Sequence, residues 1–299
     1  MSILLDHPIQ ALSEYVGHAS VSADSAFDDG VNGARGFAQA RLEELGFSVD
    51  LIETPINPVI LATRGDPCWP KLVIYGHYDV QPPDPLDLWS SDPFTADERE
   101  GRLYGRGAAD NKGPQIVHMA ALCRVLKQNP DLPLHITYLI EGEEEIGSPS
   151  FRGFLETHQD RLRGDMLLVS DTGSPGPNQL VVTTGLRGLT ALEVKVRGPR
   201  QDLHSGVHGG ALMNPLQALM RACSELHDAD GKVAVPGFYD AVRPPEPWER
   251  EELSKLPTTE EEYAQFLGVP NFHSPPGYSP LEAIRFCPTL EFNGVGGGY

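Results

Sequence analysis

The chain's 299 residues suffice for a substantial core and, at the usual size of domains, for two of them. Hydrophobic residues at 40% and charged residues at 22% are those of a soluble globular protein and exclude a disordered or fibrous chain. With 42 acidic against 23 basic residues the formal charge is −19, which repels nucleic-acid phosphates and anionic lipid and argues against both as partners, whereas acid gathered in one cleft would suit cations.

Residues Pro8 to Val16 and Gly33 to Leu45 carry apolar side chains at helical spacing, and Gly46 predicts a stop for the second helix. Short β-branched runs at Phe47–Ile52, Val59–Thr63 and Leu72–Tyr75 predict strands, the last buried on both faces. Pro114–Gln128 predicts a helix closed by Pro130 and Pro133, Leu134–Ile140 a strand, Phe151–His158 a short helix and Met166–Val169 a further strand. Strands alternating with helices predict an α/β fold whose sheet is covered by helices, with functional residues just beyond the strand ends. After Gly185 the pattern changes: Leu189–Val196 alternates like a half-exposed strand, and Asn214–His227 reads as a helix with Pro215 at its first position. A second, smaller α+β unit is expected there. From Pro236 to Pro280 prolines and charges predict a long connection with one short acidic helix at Thr258–Leu267.

Cys68, Cys123, Cys223 and Cys287 lie far apart without a Cys-x-x-Cys pair, the usage of free thiols in a reducing compartment. Met1 to Pro8 has no basic region ahead of its three-residue apolar run, and no stretch approaches the ~20 apolar residues of a membrane span. These features predict a cytoplasmic protein.

Three predicted strand ends carry imidazole or carboxylate groups. Beyond Leu72–Tyr75 comes Gly76-His77-Tyr78-Asp79, where strand alternation puts His77 and Asp79 on one side. A metal-bound imidazole commonly hands its second N–H to a carboxylate, although an isolated His-x-Asp is more often a hydrogen-bonded turn pair. Beyond Leu134–Ile140 the chain reads Glu141-Gly142-Glu143-Glu144-Glu145, four carboxylates in five residues. Such crowding raises each pKa and costs stability unless a cation or solvent relieves it; a solvated acidic turn and a cation site are evenly matched here. Beyond Met166–Val169 comes Asp171, by itself an ordinary cap or turn residue. A glycine-punctuated loop, Gly105 to Gly113, delivers Asp110 just ahead of a helix and lacks both the phosphate-loop and the dinucleotide spacing. With no G-x-S-x-G elbow, no H-E-x-x-H helix and no structural-zinc cysteines, one histidine and several carboxylates remain. That oxygen-rich set suits zinc, manganese or cobalt, as two ions sharing a bridging carboxylate.

Taken in order, Gly76-His-Tyr-Asp-Val-Gln-Pro82, Leu103-Tyr-Gly-Arg-Gly-Ala-Ala-Asp-Asn-Lys-Gly113, Glu141-Gly-Glu-Glu-Glu-Ile-Gly-Ser148 and Asp202-Leu-His-Ser-Gly206 resemble the dinuclear zinc peptidase family of carnosinase, carboxypeptidase G and aminoacylase. The segment from Val235-Pro-Gly-Phe-Tyr-Asp240 to Pro288-Thr-Leu-Glu-Phe-Asn-Gly294 resembles the carnosinase-type dipeptidase branch. The resemblance implies a catalytic domain built on a mixed, mostly parallel sheet, here residues 1–186, and a smaller lid and dimerisation domain, here residues 187–299. It implies that His77 and Asp171 bind one zinc ion, that Asp110 bridges both ions and that Glu145 binds the second. Glu144 is then the general base, Asp79 holds His77, and the Asp110-Asn111 peptide is cis. His204 matches a histidine that, in a homodimer, reaches the partner subunit's active site and polarises the scissile carbonyl of the substrate. The family takes a further metal-binding histidine from a late catalytic segment. The chain stops at Gly296-Gly-Gly-Tyr299, within the expected lid, so a fragment or truncated product with an open second metal site is expected.

The reaction so implied is hydrolysis of a dipeptide or short-peptide amide bond by water activated between two metals. An N-acyl amino acid deacylase or desuccinylase of the same family is the alternative within the enzyme class. A non-catalytic metal-binding or dimerisation module is the alternative outside it.

Overall fold

In the computed structural model, which describes residues 2–173 and 181–298, the chain opens with two short helices. α1 (Ile3–Asp6) is a single turn, and α2 (Pro8–Val16) starts on a proline whose missing N–H would be unpaired at a helix start in any case. α3 (Asp28–Glu44) begins upstream of the expected Gly33, because Asp28 and Asp29 place negative charge against the positive end of the helix. It buries Val31, Ala34, Phe37, Ala38 and Leu42, and Gly46, at φ 80°, turns the chain out of it.

The strands follow as β1 (Ser48–Ile52), β2 (Val59–Arg64), β3 (Lys71–His77), β4 (Asp97–Arg99) and β5 (Arg102–Tyr104). Then come α4 (Lys112–Gln128), β6 (His135–Glu141), α5 (Phe151–Leu162) and β7 (Met166–Val169). The predicted elements of this half form close to their expected bounds. The β4–β5 hairpin was not expected, since its strands are charged; Glu100 and Gly101, both at positive φ, form its turn. The remaining strands make one mixed sheet in the order β1-β2-β6-β3-β7, antiparallel at β1-β2 and β2-β6 and parallel at β6-β3 and β3-β7. Helices cover it as the α/β pattern predicts.

Alternation along β6 divides the core between the two faces of the sheet. Ile136, Tyr138 and Ile140 join the helix residues Tyr15, Phe37, Leu42 and Met119 on one side. Leu139 packs with Val59, Leu61, Val73 and Phe154 of α5 on the other. Each such side chain, fully buried, contributes roughly 1.5–3 kcal/mol, which fixes the register to which the site is attached. In that register His77 lies opposite Glu141 and Tyr75 opposite Val169, so the carboxyl ends of β3, β6 and β7 open on one edge.

The chain divides into two compact units, Met1–Thr172 and Gly173–Tyr299. The second holds α6 (Ser205–His208), α7 (Pro215–Ser224), α8 (Pro247–Ser254), α9 (Glu260–Leu267) and α10 (Pro280–Phe286). α7 and α9 are the two helices expected there. Leu189–Val196 forms no ladder among the described residues: a strand needs a hydrogen-bonding neighbour and none is supplied, so Leu189 and Leu192 stay 93% and 88% exposed. The segment 236–280 is more ordered than expected, because Pro247 opens α8 and the Glu249 side chain accepts from the Glu246 N–H. Among the described residues no helix is long and apolar enough to cross a membrane.

Candidate metal centre

His77 is the last residue of β3 and is fully buried. Its Nδ1 lies 3.1 Å from the Asp79 carbonyl and 3.3 Å from Asp79 Oδ1. Its Nε2 lies 2.9 Å from Asp110 Oδ1 and 3.8 Å from Asp171 Oδ2. Asp79 is equally buried: its Oδ2 accepts from Ser22 Oγ at 2.6 Å and from the Glu145 N–H at 3.1 Å. Asp110 closes the glycine-rich loop ahead of α4, its side chain 62% exposed, and its peptide bond to Asn111 is cis. Asp171 follows β7 by two residues and accepts from Asn111 Nδ2 at 3.2 Å.

The acidic run after β6 does three different jobs. Glu141 turns to Tyr75, whose hydroxyl donates to it at 2.8 Å. Glu143 is buried and anchors loops: Oε1 accepts from Thr54 Oγ1 and the Asn57 N–H, and Oε2 from the Ser150 N–H. Glu144 and Glu145 turn toward His77, and Gln81 Nε2 donates to Glu145 Oε2 at 2.7 Å. Gly142 is required at its position, since a Cβ there would stand 2.2 Å from the ring of the buried Tyr78. That ring is fixed by its own hydrogen bond to the Pro58 carbonyl.

Two groups of potential ligand atoms therefore share one imidazole: His77 with Asp110 and Asp171, and His77 with Glu144 and Glu145, the atoms of each group lying within 4.8 Å of one another. Burial alone would drive His77 toward its neutral form, but Asp110, Asp171 and Asp79 outweigh it and push it up to about 12. Burial raises Glu144 and Glu145 above the ordinary carboxylate value, and repulsion from neighbouring carboxylates adds to it. Asp171 is held low, chiefly by His77. Carboxylates crowded against one imidazole form an anionic pocket that divalent cations would neutralise, and nitrogen with oxygen donors is the set that zinc, manganese and cobalt accept.

Residues 73–279 match the profile of peptidase family M20/M25/M40. The chain belongs to this family. Among its relatives, the beta-Ala-His dipeptidase of Homo sapiens is 36% identical over 248 residues, covering 82% of this chain and 49% of that protein. A Cys-Gly metallodipeptidase of Schizosaccharomyces pombe is 32% identical over 308 residues, covering 98% of this chain and 65% of that protein. The crystal structure of the M20 family metallo-carboxypeptidase Sso-CP2 from Sulfolobus solfataricus superposes with a TM-score of 0.81 at 31% identity, covering 99% of this chain and 67% of that one. The chain thus spans from about half to two thirds of the length of these relatives.

The sequence-predicted residues His77, Asp79, Asp110, Glu144, Glu145 and Asp171 all lie in the first unit and around one imidazole. His204 lies in the second unit, where it caps α6 and its Nδ1 accepts from the Gly206 N–H at 3.0 Å. Sequence reading missed Ser22, Gln81, Asn111 and Gln115 as supports. Gln81 and Asn111 stand inside the recognised motifs and could have been singled out there. Ser22 carries no local signal: it arrives because the segment after α2 runs beside Tyr78–Val80, with Ser20 Oγ donating to the Tyr78 carbonyl and the Val80 N–H to the Ser20 carbonyl.

Proposed function

We propose that this M20 peptidase hydrolyses the amide bond of dipeptides or short peptides at a two-ion centre. The reading is carried by the two ligand groups that overlap at His77. His77 and Asp171 would hold one divalent ion, Asp110 would bridge, and Glu145 would hold the second; zinc fits this donor set, with manganese and cobalt as alternatives. When bound, such ions supply a water of lowered pKa and a polarised carbonyl oxygen.

The chain's own residues supply the rest. Asp79 orients the His77 ring from its Nδ1 side, held in turn by Ser22 and the Glu145 N–H. Glu144 is the general base: its carboxylate takes a proton from the attacking water and passes it to the leaving amine. His204 contacts the substrate's carbonyl in the partner subunit of a homodimer formed through the second unit. The exposed apolar run of Leu189, Leu192 and Val194 supports such an interface. The four cysteines, none of them paired, support a cytoplasmic location. That these relatives are named dipeptidases supports a dipeptide rather than an N-acyl amino acid as the substrate of this chain.

The test is a panel of dipeptides and N-acyl amino acids assayed with added Zn²⁺ or Mn²⁺, with bound metal counted by elemental analysis. Two ions per chain and chelator-sensitive dipeptide cleavage are expected. A folded chain that takes up no divalent ion overturns the reading.

A further inference from the structure

α4 carries a polar stripe where a core-facing helix would ordinarily be apolar. Asn111, at its N-cap, Gln115 and His118 recur at spacings of four and three, which puts them on one face. Each directs a polar atom at the end of β3 or at the residues that follow β7. Gln115 Nε2 donates to the His77 carbonyl, and its Oε1 accepts from Tyr15 Oη at 3.3 Å. Asn111 Nδ2 donates to the Ser170 carbonyl at 2.9 Å and to Asp171 Oδ1 at 3.2 Å. His118 Nε2 lies 2.8 Å from Ser170 Oγ, while its Nδ1 is buried with no partner among the described residues. All the hydrogen bonding available to His118 is therefore directed at the residue before Asp171.

The two strands need this support unequally. β3 is paired on both sides, so the sheet itself fixes His77. β7 has four residues, is paired only with β3 among the described strands, and is exposed along its length. Among the described strands, that short ladder alone holds the sheet end from which Ser170-Asp171 leaves. We propose that His118 is a positioning residue for Asp171, acting through the Ser170 hydroxyl. This rests on the two-ion reading above. His118 works alongside Asn111: the amide holds the Asp171 carboxylate directly, and the imidazole prevents the preceding residue from swinging away from α4. Loss of a group that orients a ligand typically weakens metal binding about 10–100-fold.

The test is competition for Zn²⁺ between a chelator of known affinity and the wild type, His118→Phe, His118→Gln, Ser170→Ala and the double variant His118→Phe/Ser170→Ala. Expected is a loss of about tenfold or more at one of two ions in both His118→Phe and Ser170→Ala. Recovery is expected in His118→Gln, whose amide nitrogen reaches the same hydroxyl, and no further loss in the double variant. Wild-type affinity in a folded His118→Phe or Ser170→Ala overturns the assignment, as does a double-variant loss equal to the combined single losses. Should His118→Phe not fold, Ser170→Ala decides alone. A wild type that binds no zinc overturns the two-ion reading together with this one, whereas a wild type with two ions and an indifferent Ser170→Ala overturns this one only.

Discussion

At the scale of single residues, neighbours in the same acidic run are separated by what each one faces. Glu144→Ala removes the proposed base but none of the proposed ligands, so bound metal should be retained while turnover falls on the order of 10²–10⁴-fold; Asp110→Ala should lose the metal itself. Elemental analysis beside steady-state kinetics distinguishes the two. Glu141 behaves differently. Burial raises it from 4.5 to about 7 against the opposing hydrogen bonds of Tyr75 and Ser148. Its folded value exceeds its unfolded one, so the folded state holds the proton more tightly, and stability is full below 4.5 and lost as pH rises through 7. Glu141→Gln keeps an acceptor for Tyr75 and removes the charge. Its Tm should match wild type at pH 4.5 and exceed it at pH 8 with chelator present; equal melting at both values would show that Glu141 carries no such linkage.

At the scale of elements, the site depends on how closely the strand ends are packed. Gly142 lets the β6 exit pass against Tyr78, so Gly142→Ala should force that buried ring aside. A destabilisation of about 1–3 kcal/mol is expected by chemical denaturation, with weakened metal binding, because Glu144 and Glu145 follow directly. α4 and α2 are joined in the same dense region: Lys112 is fully buried and its ammonium donates to the carbonyls of Tyr15 at 3.0 Å and His18 at 2.7 Å, at the end of α2. Burial lowers the pKa of Lys112 to about 7, against the attraction of Asp79.

At the scale of the whole molecule, the first unit carries the candidate centre and the second carries His204 together with exposed apolar residues of strand-like alternation. If that run forms the proposed dimer interface, Leu192→Glu with Val194→Glu should give monomer by light scattering while leaving the metal content of the first unit intact. A dimer that persists in this variant assigns the contact to another surface. A net charge of −19 makes such a loss of association easy to detect, because exposed carboxylates repel and keep the monomer soluble.

Much of the first unit and of the centre was legible in the residue order. Strand runs such as Met166–Val169, the helix after Pro114 and the imidazole or carboxylate beyond each strand end follow from local periodicity and from the rule that α/β sites gather at carboxyl ends. What each carboxylate faces was not, because Glu143 and Glu144 are adjacent and chemically alike; only the folded chain brings Thr54 and Ser150 to one and His77 to the other. The supports Ser22 and His118 are likewise contacts between segments remote in sequence, and no local spacing encodes them. Leu189–Val196 fails as a strand for the complementary reason: alternation specifies a face, but a strand exists only where a second backbone is present to pair with it.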